Sequence, residues 1–148
     1  MTKLLLIVTI AGERVALPAS SVDSVVQVEG LVPIPRAPAH LAGLAALRSR
    51  VLTAIDCHAA LGLGATQVRP AHDAIVVEED GHPYALLVDD VEDVIEHDGE
   101  LHPLRGARAA GWARVATGML ELDGRLGLFV DPAALIAGAP DPHSRRAH

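Results

Sequence analysis

Asp56-Cys57-His58 sets an acid, the only thiol of the chain and an imidazole side by side. A nucleophile, its base and an orienting carboxylate are the parts of hydrolytic or thiol redox chemistry. Two arguments weigh against that use. Neighbours in an extended segment point to opposite faces, so an adjacent Cys and His rarely meet unless the chain turns sharply between them. An internal repeat, described below, also puts Asp131-Pro132-Ala133 in the equivalent place, with neither nucleophile nor base. What the two stretches share is an Asp, a short Ala/Leu-rich run and a Gly. That is the pattern of a capped helix, with Pro132 at the first helical position and Gly62 and Gly138 at the exits. Cys57 is expected to be a small buried hydrophobe.

Other chemistry finds less support. The eight histidines, His40, His58, His72, His82, His97, His102, His143 and His148, lack His-x-His or His-Glu-x-x-His spacing, and one cysteine cannot build a thiolate zinc site. Gly62-Leu63-Gly64 has neither the downstream glycine of a dinucleotide fingerprint nor the Gly-Lys-Ser/Thr of a phosphate loop. No Gly-x-Ser-x-Gly elbow occurs. The acids Asp89, Asp90, Glu92 and Asp93 alternate with Val88, Val91, Val94 and Ile95, as a solvated face beside a buried one does. No catalytic residue, metal or cofactor is therefore expected.

Composition narrows the classes further. The chain has 148 residues, half of them apolar and 21% charged, which suits a folded domain with a sizeable core. Twelve basic against nineteen acidic residues, with one Trp, one Tyr and one Phe, leave no basic footprint or stacking platform, so nucleic acid is not an expected partner. A single cysteine fits a reducing cytoplasm. The opening MTKLLLIVTIAGERVALPAS imitates a secretory leader, but Glu13 and Arg14 follow its apolar run at once and Pro18 occupies the cleavage region. The run is too short to span a bilayer and reads as a buried strand, so direct membrane insertion is not expected.

Self-similarity organises the elements. GERVALPASSVDSVVQV from Gly12 lies over GHPYALLVDDVEDVIEH from Gly81 without a gap, at an offset of 69. GLAALRSRVLTAIDCHAALG from Gly43 lies over GMLELDGRLGLFVDPAALIAG from Gly118, at an offset of 75. Each unit of roughly 70 residues reads as strand, tight turn, strand, Val-rich strand, proline-containing connection, hairpin and short helix. Leu120 and Leu122, then Asp123-Gly124, then Leu126, Leu128 and Val130 form a hairpin with a type I′ turn. Short strands, little helix and two copies argue for two small β-barrels packed together. LGLGATQVRPAH is the crossover between them, and the tail GAPDPHSRRAH has nothing to bury. Arg48-Ser49 aligns with Asp123-Gly124, and a type I′ turn there costs ~1–2 kcal/mol for a residue with a Cβ. Either that turn is of another type or strain is tolerated. Arg50 recurs as Arg125, which favours a structural or solubilising role for that pair.

Gly43, Leu47, Arg48, Val51, Leu52, Ile55 and Asp56, with the duplicated strand pattern, resemble the signature of the CheW family of bacterial chemotaxis adaptors. GHPYALLVDDVEDVIE looks like its second-half hallmark, and the similarity runs from Leu4 to about Gly138. The resemblance implies an all-β fold with short helices: two pseudo-repeated five-stranded SH3-like β-barrels packed together. Residues 1–138 would form one domain of two intertwined subdomains, with repeat units at about 12–70 and 71–138 and a flexible tail at 139–148. It also implies a non-enzymatic role in the cytoplasm. The protein would couple the cytoplasmic tip of chemoreceptors to the regulatory domain of a CheA-type histidine kinase and reach membrane arrays through those partners. Positions matching the family's receptor groove are Val22, Gly43, Arg48, Ile75, Val94 and Gly118; no short motif locates the kinase contact. Ala46, Ser49, Thr53, Cys57 and His58 depart from the signature's Asn, Gly, Pro, Leu and final Arg. Two alternatives stay open: a small Cys/His-dependent hydrolase or redox protein, and a CheW-like oligomerising scaffold or module that binds only one of the two partners.

Overall fold

The computed structural model describes residues 3–106, 108 and 110–138. The expected tail at 139–148 lies outside the described residues. In chain order the elements are β1 (Lys3–Ile10), β2 (Glu13–Pro18), a 3-10 turn (Ala19–Ser21), β3 (Val22–Val28), β4 (Leu41–Leu47), β5 (Arg50–Asp56) and α1 (Cys57–Ala60). The second series is β6 (His72–Glu79), β7 (His82–Leu87), β8 (Asp90–His97), α2 (Ala110–Val115), β9 (Ala116–Leu122), β10 (Arg125–Val130) and α3 (Pro132–Ala137).

The strands make two five-stranded sheets, ordered β8-β1-β2-β10-β9 and β3-β6-β7-β5-β4. Exchanging the two sequence units converts one order into the other. Each sheet therefore takes two strands from one unit and three from the other. β3 leaves the β1–β2 hairpin to pair with β6, and β8 leaves the β6–β7 hairpin to pair with β1. Parallel pairs, β10 with β2 and β5 with β7, complete each sheet.

Alternation along the strands builds three cores. Leu5 and Ile7 of β1, Ala16, Leu120 and Leu122 cluster with Ile95 and Phe129, so all five strands of the first sheet curl around one interior. Val28, Ala45, Leu52, Ala54, Ala74, Val76, Ala85 and Leu87 do the same for the second sheet. The other faces of the same strands, Leu6, Val8 and Ile10 of β1 with Ile75 and Val77 of β6, join Leu86, Leu128 and Trp112 in the core between the two sheets. β1 is thus buried on both faces, which is why its sequence is continuously apolar rather than alternating.

Three hairpins turn on Ala11-Gly12, Asp80-Gly81 and Asp123-Gly124, both residues of each pair at positive φ, as type I′ turns require. The short helix α2 was not expected. Its six residues match the growth of the repeat offset from 69 to 75 between the two aligned blocks. Trp112 and Val115 carry it into the inter-sheet core.

Candidate functional site

The Asp-Cys-His triplet divides into three separate roles. Asp56, nearly fully buried, caps α1: its carboxylate accepts from Ala59 N at 3.1 Å, and from Thr66 N and Thr66 Oγ1 at 2.9 and 2.5 Å. Asp131 caps α3 in the same way, accepting from Ala133 N at 3.0 Å, with Pro132 in the first turn. Cys57 is fully buried; burial pushes its thiol well above the usual range, and Asp56 and Asp89 add to the effect. The His58 ring pairs with Asp89, Nε2 lying 2.9 and 3.1 Å from the two carboxylate oxygens. A thiol with no tendency to ionise beside an imidazole engaged elsewhere is not a nucleophile-base pair.

Arg48 sits at the tip of the β4–β5 hairpin with φ of 58°. Asp123 and Gly124, its counterparts with Ser49, are both at positive φ, whereas here only the first position is. The turn is therefore not type I′, and the left-handed residue is an arginine. Its side chain is exposed and has no hydrogen bond or ion pair among the described residues. A groove of about 260 Å³ opens beside it, between the tip and β3, lined by Asp23, Val25, Val26, Leu47, Arg48 and Arg50. This is the seam where β3 and β4, the outer strands of one sheet, approach each other, and Arg50 Nη1 crosses it to Asp23 Oδ2 at 3.5 Å. The equivalent seam of the other sheet is crossed by the His97 ring, 3.1 Å from the Glu121 carbonyl.

The other expected groove positions do not form one exposed patch. Val94 on β8 is half exposed, and Val22 at the start of β3 packs partly against the inter-sheet core. Ile75 is wholly buried in that core and has no surface to offer a partner, because odd-numbered positions of β6 face the other sheet. Gly43 and Gly118 are buried and have the same structural task. A Cβ on Gly43 would lie 2.7 Å from the Val32 carbonyl oxygen, and one on Gly118 would lie 2.7 Å from that of His102. Next to these glycines, Val32 and Leu44 exchange two backbone hydrogen bonds, as do His102 and Met119. Each proline-containing connection is thereby seated on the hairpin that follows it.

Two features were missed in the sequence reading. Val25, the repeat partner of Val94, is also half exposed and borders the Arg48 groove; the ungapped alignment already paired them. Asp89, read as one of a solvated acidic run, is a junction: it accepts from Ala11 N at 2.7 Å and from His58, while Arg69 donates to its carbonyl at 3.1 Å. Two buried histidines are structural. His40 Nε2 lies 2.9 Å from the Ile136 carbonyl and ties the start of β4 to α3. His72 is 2% exposed; its Nδ1 accepts from Arg69 N, and its Nε2 has no partner among the described residues. Burial, then the Arg69 charge, lowers its pKa.

Among the described residues no group of three or more His, Cys, Asp or Glu could hold a metal ion, and no helix is long and apolar enough to cross a membrane. Comparison with known proteins gives a consistent result. The model of the CheW-like domain family matches residues 4–139. The chain is 32% identical over 100 residues to the chemotaxis protein CheW of Rhizobium meliloti (strain 1021), a match covering 67% of this chain and 64% of that protein. It is 29% identical over 121 residues to a probable chemotaxis protein CheW of Rhizobium etli, covering 79% of this chain and 78% of the relative. The chain thus spans just under two thirds of the first relative's length. Among solved structures, the scaffolding protein TtCheW of Thermoanaerobacter tengcongensis has the same fold, with a TM-score of 0.75 at 24% identity, over 88% of this chain and 90% of that one.

Proposed function

The chain belongs to the CheW-like domain family, and on that premise we propose that it is a non-enzymatic chemotaxis adaptor. It joins the cytoplasmic tips of chemoreceptors to the regulatory domain of a CheA-type histidine kinase, working in the cytoplasm and reaching membrane arrays through those partners. The observation that carries this reading at the level of residues is Arg48. A long cation held in the left-handed region costs ~1–2 kcal/mol relative to glycine, the repeat copy has Asp-Gly there, and the guanidinium is free among the described residues beside a groove with apolar walls. A strained, unpaired arginine that does nothing for its own fold is suited to fixing a partner's carbonyl or carboxylate. Val22 and Val94 would add apolar contacts to the receptor, while Gly43 and Gly118 would act by seating the connections that border it.

The test is calorimetric titration with the regulatory domain of a CheA-type kinase and, separately, with a receptor-tip fragment. Saturable binding to both, weakened at least tenfold toward the receptor tip by Arg48→Glu, is the expected result. Absence of heat with either partner would overturn the coupling role. The thiol-enzyme reading needs an accessible, readily ionised sulfur; fast alkylation of Cys57 in the native protein would revive it, whereas alkylation only after unfolding agrees with its burial.

A further inference from the structure

The two curled sheets repeat one pattern, yet they differ at the mouth where β1 starts and β2 finishes, or β6 starts and β7 finishes. In the second sheet His72, Leu87, Val28 and Ala54 are all buried there. Leu31 packs against that core, and the linker before β6 turns back on the mouth, Arg69 N donating to His72 Nδ1 at 3.1 Å. The strand registers put Lys3, Pro18, His97 and Phe129 in the corresponding places of the first sheet. Lys3 is exposed, the other three are half-buried, and Leu101 beside them is 46% exposed. Among the described residues nothing closes this mouth. Two adjoining cavities of about 600 and 110 Å³ open there, with Lys3, Leu5 and Phe129 as shared walls.

The walls are apolar with a single cation. Leu4, Leu5, Pro18, Leu101, Leu120 and Phe129 supply hydrocarbon surface. The His97 ring is engaged at both nitrogens, Nδ1 accepting from Gly99 N at 3.2 Å and Nε2 lying 3.1 Å from the Glu121 carbonyl, so it offers its face rather than a hydrogen bond. No acid lines either cavity, and Lys3 is the only lysine of the chain. Its ammonium makes no ion pair among the described residues. That group carries three donors and no acceptor, and its stem can lie along apolar surface while the head stays in water. An apolar recess with one cation at its rim is complementary to a hydrocarbon chain that ends in one negative charge. We propose that the mouth of the first sheet binds a free aliphatic monocarboxylate, its alkyl chain against Leu5, Leu120 and Phe129 and its carboxylate on Lys3 Nζ. A cationic amphiphile would meet the same walls and the wrong charge.

Decanoate is the probe, and decyltrimethylammonium is its counterpart of opposite charge. Methyl and aromatic NMR follows both titrations in the wild type, Lys3→Gln and Lys3→Arg; Lys3 is exposed, so neither variant disturbs the core. The expected result is saturable shifts at Leu5, Leu101, Leu120 and Phe129, with decanoate bound about fivefold more tightly than the cation, as much as an exposed ion pair supports. Lys3→Gln should lose that preference and Lys3→Arg should keep it. Equal affinity of the wild type for the two amphiphiles, unchanged decanoate affinity in Lys3→Gln, or shifts centred on Val25 and Arg48 instead would overturn the proposal. So would shifts at the mouth that depend on protein concentration without any ligand, because a second copy would then be the occupant. Binding to phosphatidylglycerol vesicles with no response to decanoate would also overturn it, in favour of a bilayer surface. The mouth belongs to the first sheet and the Arg48 groove to the second, and no signalling partner enters the assay, so this result and the adaptor reading stand or fall separately.

Discussion

His72 has a protonation state set by its surroundings. Its ring is buried with Nε2 unpartnered, and burial followed by the Arg69 charge lowers its pKa. The unfolded chain, with a histidine near 6.5, therefore takes up the proton first as pH falls. The stability contributed by neutral His72 is complete above that value and declines as the pH drops below it, until the lowered folded value is passed. Denaturant melts of the wild type and His72→Phe between pH 8 and pH 5 should diverge in slope, the variant losing less stability on acidification. Parallel slopes would mean that the ring is hydrated in the folded state. Arg48 makes a second prediction at this scale. Replacing it by glycine removes a Cβ from a φ of 58° and should raise stability by about 1 kcal/mol, and on the proposed adaptor role the same variant should bind a receptor-tip fragment less well. A loss of stability would mean that the guanidinium supports the hairpin after all.

At the scale of elements, the hairpins β4–β5 and β9–β10 are matched pieces, each overlaid by the connection that precedes it. Two glycines make the contact possible. Alanine at Gly43 or at Gly118 would put a methyl 2.7 Å from a backbone oxygen, and backbone held by paired hydrogen bonds on both sides cannot yield as a flexible side chain can. Each substitution should cost about 1–3 kcal/mol, as overpacked sites do, measured as a lower midpoint in urea. Gly124→Ala provides the contrast. Its Cβ would meet open space, so only the positive φ of 79° opposes it, and the loss should be about 1 kcal/mol. The repeat alignment had paired Gly43 with Gly118, but not the reason for the pairing. The reason lies in Val32 and His102, residues outside both aligned blocks.

The molecule as a whole cannot be divided where its sequence repeats. Since each sheet borrows strands from both units, a fragment ending near Pro70 would hold β1 and β2 without β8, β9 or β10, and β3, β4 and β5 without β6 or β7. Neither piece could bury its inner face. Fragments 1–70 and 71–148 should each be unfolded alone by circular dichroism and recover strand signal when mixed. The intact chain should melt in one transition followed equally by far-UV signal and by Trp112 fluorescence, because Trp112 lies in the core between the sheets. Independent folding of either fragment would contradict the strand exchange.

Sequence alone determined what depends on local pattern. Alternation and the Asp-Gly turn marked the strands and hairpins, the capping signals assigned Asp56 and Asp131, and the duplicated blocks established two copies of one unit. Short strands in two copies argued for two packed β-barrels, and the resemblance added that each has five strands. Tertiary structure decided what depends on which strands become neighbours. The inward face of β6 was not legible, because Ile75 reads the same whether it meets solvent, a partner or another sheet; only the docking of the second sheet buries it. Asp89 likewise looked like one acid among several, since its partners Ala11 and His58 lie 78 and 31 residues away. Local periodicity carries the direction of a side chain relative to its own strand. What waits on the other side is set by a chain crossing between sheets, and no local pattern encodes that.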